Sequence, residues 1–304
     1  MAQLPEPPPP PRLLDRVRDR IRVKHYSLRT EEVYLDWIKR FILFHGKRRP
    51  EQMAAPEVEA FLTHLAVRHH VAAATQNQAK SALLFLYKEV LGTELPWLDG
   101  AEQAKTPTRL PVVLTRAEVA AVLDRLDGTH ALIGRLLYGT GMRIMEALHL
   151  RVKDVEFSRH EIVVRDGKGM KDRMAMLPRG IEAALQTHIE RVRRLHQSDL
   201  ADGYGAVWLP NALARKYPNA AREWGWQYVF PARKFSVDPR TGEVRRHHLT
   251  DQSFQRAMRQ AIRDAQLSKP ATPHTLRHYS GFRTMPSLKM HAFEGVRLAP
   301  CCSA

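Results

Sequence analysis

A chain of 304 residues with 44% apolar and 26% charged side chains is long enough for two domains and has an ordinary globular composition. No apolar run approaches a membrane span, no signal-peptide core opens the chain, and both cysteines, Cys301 and Cys302, fall at its end. A membrane partner, a disulfide framework and a cysteine-built metal site are thereby excluded, and a cytoplasmic setting is expected.

The formal charge is +16, with 33 basic against 19 acidic side chains from residue 105 onward and 15 against 13 before it. A field of that size concentrated in one part of the chain favours a polyanion, with nucleic acid first. The alternative is a basic surface kept for solubility.

Residues 1–11, containing LPEPPPPP, read as a disordered, proline-rich lead. Residues 12–103 read as a small helical domain. Val33, Trp37, Phe41 and Phe44 follow helical spacing toward a stop at Gly46. Pro56 opens a second helix with the stripe Val58, Phe61, Leu62 and Leu65, and a third helix runs to Gly92. Residues 104–114, with two prolines and two threonines, read as a linker.

The second domain, residues 115–278, begins with a capping box of Thr115 and Glu118, followed by a buried stripe of Val119, Val122, Leu123 and Leu126. A helix at 131–138, the turn GTG and a further helix through MRIMEALHL come next. VKDVEF, EIVVRD and RMAMLP alternate with period two, and so predict a small antiparallel sheet. GIEAALQTHIERVRRLHQ and DQSFQRAMRQAIRDAQL return to helix. The fold class is mainly α with a small antiparallel β-sheet.

Four places carry candidate chemistry. TGMRIMEAL puts Arg143 on the first turn of a helix just after two glycines, projecting from a rigid element. Gly167-Lys168-Gly169 closes a hairpin and lets Lys168 swing outward toward a phosphate or leaving oxygen; taken alone it reads rather as a solvated turn lysine. In TPHTLRH, Thr272 caps a helix with Pro273 at its first position, so His274 and Arg277 share a face suited to an anion. Finally, RRHHL (Arg245, Arg246, His247, His248) is a basic patch before a helix, a nucleic-acid backbone contact or a plain surface rather than a metal pair.

The order arginine, glycine-flanked hairpin lysine, His-x-x-Arg resembles the tyrosine recombinases, or phage integrase family, over roughly residues 12–278. Within that family the likeness is to integron integrases, because residues 203–232 resemble the insertion that distinguishes them and RRHHL follows it. The resemblance implies a helical SAM-like core-binding domain before an α+β catalytic domain, together clamping DNA as tetramers on two sites. It implies strand exchange through a 3′-phosphotyrosyl link, with neither metal nor other cofactor. Arg143 and Arg277 would hold the non-bridging oxygens, Lys168 would protonate the leaving 5′-oxygen, and His274 would assist proton movement.

Integron integrases also recombine folded single strands and recognise protruding bases. Trp208, Trp224 and Trp226 lie within the insertion among Tyr217, Tyr228, Arg215, Lys216 and Arg222. Aromatic and basic groups so mixed suit stacking on unpaired bases. The alternative is that most of them pack the insertion onto its domain.

From Tyr279 onward the sequence departs from the family. The expected Leu-Gly-His motif and the nucleophilic tyrosine in a YTH context are missing from residues 279–304, an aberrant tail in which Tyr279 is the only tyrosine. The catalytic domain therefore reads as truncated by frameshift, deletion or junction, with lower stability expected. The expected protein is a recombinase by descent that binds DNA and does not cleave it. The alternatives are persistent chemistry through Tyr279 or a partner's tyrosine, and a non-catalytic DNA-binding regulator that interferes with an intact integrase.

Overall fold

The computed structural model describes residues 11–95, 110, 112–165, 172–210 and 213–280, with side chains as far as Arg277. Two compact units divide between Arg109 and Leu110.

The first unit is helical: α1 (Leu13–Val23), α2 (Leu28–Phe44), α3 (Ala55–Val67) and α4 (Ala73–Phe85), the last continuing through a wider π turn at Leu86–Leu91. Ser27 caps α2 by accepting from the Thr30 N–H at 3.1 Å. Val58, Phe61, Leu62 and Leu65 are all buried, as their spacing predicts, alongside Val17, Ile21, Phe41, Leu83 and Leu86. Each such side chain contributes about 1.5–3 kcal/mol by leaving water. The α2 stripe is rotated from the expected one. Leu35, Trp37, Ile38 and Phe41 are buried, Val33 is half-buried, and Phe44 is exposed against the rings of Phe61 and His64. Helices pack on both sides of α2, so its buried arc is wider than one stripe and centred on Ile38.

In the second unit, Thr115 and Glu118 form the expected capping box on α5 (Arg116–Leu123). α6 (Gly128–Thr140) is central, with Ile133, Leu136 and Leu137 fully buried. α7 (Ile144–Leu148) leads to a three-stranded antiparallel sheet in the order β1 (Val155–Glu156), β2 (Glu161–Val164), β3 (Arg173–Met176). The long α8 (Arg179–Ala201) follows, starting beside α6. A Cβ on Gly139 would lie 2.3 Å from Pro178 Cγ, so only glycine permits that approach.

Beyond α8, a short helix α9 (Leu213–Lys216) and two single turns bury Val207, Leu209, Ala220 and Tyr228 in a small cluster of their own. A two-stranded hairpin, β4 (Ser236–Val237) and β5 (Val244–Arg245), precedes α10 (Asp251–Asp264), and neither this hairpin nor the short turns were legible as elements. α11 (Pro273–Ser280) begins at the proline its sequence indicated and packs on α6. Just before it, Lys269 donates to the Glu118 carboxylate at 2.8 Å and to the Val113 carbonyl at 3.4 Å, tying the start of the unit to the base of α11.

Candidate active site

Thr140 closes α6 by donating its hydroxyl to the Leu136 carbonyl (2.7 Å) and accepting from the Met142 N–H (3.2 Å), while Gly141 takes a left-handed conformation (φ 69°). This turn delivers Arg143 to the cap position of α7. Its backbone N–H donates to one oxygen of Glu146 at 2.8 Å and its guanidinium to the other at 2.7 Å. Glu146, whose side chain is only 7% exposed, also accepts from Arg173 on β3 at 2.6 Å.

Arg277 completes the group. α11 buries Thr275 and Leu276 against the core, leaving Arg277 half-buried and His274 exposed. Burial lowers the Arg277 pKa, the neighbouring Arg143 and Arg173 charges push it the same way, and Glu146 opposes them. Burial raises the Glu146 carboxyl, but the Arg143 N–H and the Arg143 and Arg173 guanidiniums more than offset it and hold it below the usual carboxylate range. Arg143 and Arg173 thus share one carboxylate, and Arg277 lies near enough for its charge to interact with all three. The excess positive charge and the planar guanidinium forks suit a phosphate with two non-bridging oxygens.

The structure therefore places Arg143 and Arg277 near enough for their charges to interact. Lys168 lies outside the described residues; the strands leading to and from its hairpin are paired from Glu161–Met176 to Val164–Arg173. Sequence reasoning missed Glu146 and Arg173. The signal for Glu146 was its place three residues after Arg143, where a cap residue's N–H finds a carboxylate.

The patch before α10 divides. Arg246 is buried, bound by both oxygens of Asp199 (2.5 and 2.6 Å) and donating to the carbonyls of Ala232 (3.0 Å) and Arg233 (2.7 Å), so its guanidinium is turned inward rather than onto a surface. Arg245 is ion-paired with Asp238 and Glu243. His248 is buried beside His149 and Tyr228, with Nδ1 donating to the Leu249 carbonyl at 2.7 Å; burial pushes its pKa down to about 3. His247 is exposed.

Of the aromatic groups in residues 203–232, Trp208 is 42% and Tyr217 48% exposed, with Lys216 exposed next to the latter. Trp224 is half-buried, stacked on His196 at 6.0 Å and packed on the main core. Trp226 is half-buried beneath the Lys153 ammonium. The packing alternative accounts for these last two. Arg151, unremarked in the sequence, reaches into the same segment: it donates to the carbonyls of Trp226 (2.7 Å) and Trp208 (2.8 Å) and to the Tyr228 hydroxyl (3.1 Å), with its guanidinium 3.8 Å above the Tyr228 ring.

Comparison with known proteins follows the same division. Residues 13–97 match a model of the phage integrase N-terminal SAM-like domain, and residues 113–285 match that of the phage integrase family. Two proteins described as integrase/recombinase, from Escherichia coli and Pseudomonas aeruginosa, are each 51% identical over 267 residues, covering 88% of this chain and 79% of theirs. Among solved structures, a lambda integrase dimer bound to a COC′ core site overlays with a TM-score of 0.56 at 17% identity, over 88% of this chain and 83% of that one, a likeness of fold.

Proposed function

Because the chain belongs to the phage integrase family of tyrosine recombinases, we propose that it is an integron integrase-type protein which grips a DNA phosphate between Arg143 and Arg277 and does not cleave it. The placement of Arg277 within electrostatic reach of Arg143 and Glu146, on a helix packed on the core, carries this reading. Two guanidiniums on the non-bridging oxygens neutralise the ground-state charge and, where a nucleophile attacks, the further charge of the pentacoordinate state. In that chemistry Lys168 protonates the departing 5′-oxygen and His274, exposed beside Arg277, moves a proton or holds an oxygen. A tyrosine hydroxyl forms the 3′-phosphotyrosyl bond and the 5′-hydroxyl leaves, so the bond energy is kept for the second transfer.

The integron assignment is supported by the separate small core of residues 203–232, which leaves Trp208 exposed while seating Tyr228 inside. Its substrates on this reading are duplex sites and folded single strands, engaged as tetramers. The loss of cleavage is supported by residues 279–304, which hold neither the Leu-Gly-His motif nor a tyrosine in a YTH context.

The test is incubation with a nicked suicide substrate carrying an integron site, followed by a denaturing gel. A salt-sensitive complex without a covalent band is expected. A covalent band abolished by Tyr279→Phe overturns the loss of cleavage, and absence of binding at modest salt overturns the DNA-binding reading.

A further inference from the structure

We propose that Arg151 is a positioning residue that presents residues 203–232 to unpaired bases, and so sets the preference of this protein for folded single strands over plain duplex. The proposal rests on the reading of that segment as a base-binding surface. What the geometry adds is how the surface is held. Arg151 is 7% exposed, and its fork joins the backbone at Trp208 to the backbone at Trp226, two points far apart in the segment, while the Tyr228 ring centroid lies 3.8 Å from it. On either side, the Val152 N–H donates to the Gln227 carbonyl (3.0 Å) and the Val229 N–H to the Leu150 carbonyl (2.9 Å). Asp154 fixes the latch from behind, accepting from the Arg151 N–H at 3.3 Å and from Arg165 Nε at 2.6 Å.

A buried cation is an expensive way to hold a loop if only packing is required. Burial depresses the Arg151 pKa despite the attraction of Tyr228 and Asp154. An apolar side chain would fill the volume and leave two carbonyls and a hydroxyl without donors. Lysine would keep the charge but could not span both carbonyls, because only the planar fork has donors diverging from one rigid centre. Leu150 and Arg151 lie just beyond α7, the helix Arg143 caps, so the latch sets the exposed indole of Trp208 in a fixed relation to the phosphate clamp.

The experiment uses the full chain and two hairpin oligonucleotides, one with two protruding bases in its stem and one fully paired, titrated by fluorescence anisotropy at fixed salt. The wild type is expected to favour the protruding-base hairpin by about tenfold, the scale of one stacked base. Arg151→Met and Arg151→Lys are each expected to bring that ratio to about one, with affinity for the paired hairpin kept within about twofold. Where Arg151→Met melts well below the wild type, Arg151→Lys carries the test. Trp208→Ala combined with Arg151→Lys is expected to lose no more than Trp208→Ala alone, since both act through one surface. A ratio unchanged in Arg151→Lys, or losses that add in the double variant, overturns the role of Arg151 while leaving the base-binding surface standing. A wild-type ratio of about one overturns that surface and the proposal with it.

Discussion

Arg246 and Asp199 meet through two charge-assisted hydrogen bonds, at 2.5 and 2.6 Å, with both side chains nearly sealed from solvent. The pair clips the end of α8 to the segment between β5 and α10, and Arg246 also satisfies the carbonyls of Ala232 and Arg233. Removing one partner of such a pair leaves an uncompensated buried charge. Asp199→Ala is therefore expected to destabilise the second unit by about 3–5 kcal/mol in urea unfolding. A loss below about 1 kcal/mol would mean that water reaches the pair.

Glu146 opposes the charge of its own site. Glu146→Ala removes the anchor of both Arg143 and Arg173, and is expected to lower stability by about 1–3 kcal/mol. It also raises the net positive charge where a phosphate binds, so DNA affinity at low salt should increase and fall more steeply as salt is added. Unchanged affinity and salt slope together would place the phosphate away from Arg143.

Acid sensitivity follows from three buried imidazoles. His188 donates Nε2–H to the Val229 carbonyl at 2.8 Å, His196 donates to the Arg222 carbonyl at 3.0 Å, and His248 lies against His149 and Tyr228. Burial lowers all three pKa values in the folded state, that of His248 to about 3. Above pH 6.5 both states are neutral and nothing is lost. Below it the unfolded chain takes up protons that the native protein refuses, so stability falls as pH drops, by at most about 1.4 kcal/mol per pH unit for each histidine. Urea midpoints at pH 7.5, 6 and 5 check this, and a flat profile would refute it.

Gly139→Ala tests the approach of α6 to Pro178. The new methyl group meets a rigid ring at 2.3 Å, and a loss of about 1–3 kcal/mol is expected by thermal melting. Gly180→Ala, in the first turn of α8 with nothing within 4 Å, is the matched control and should be neutral or stabilising by up to about 1 kcal/mol.

Local rules carried much of this fold. The capping box of Thr115 and Glu118, the stripes of α3 and α5, the three strands of the sheet and the start of α11 at Pro273 all depend on residues a few positions apart. The turn delivering Arg143 is of the same kind. What stayed hidden depends on distance in the chain. Arg246 reads as a surface cation until Asp199, far upstream on α8, folds onto it. Arg151 looks like any basic residue after a helix until the carbonyls of Trp208 and Trp226 close on it. Arg173 becomes part of the site only because β3 runs back past α7.

The Lys269 contact with Glu118 and Val113 has a bearing on engineering. It fastens the point where the chain enters the second unit to the residues just before α11, so the helix bearing His274 and Arg277 is braced from within that unit. A chimaera in which a foreign DNA-binding domain is spliced ahead of Val113 would inherit the brace whole, and with it the placement of the arginines. The splice point for retargeting such a protein is set by that ammonium group rather than by the boundary of a helix.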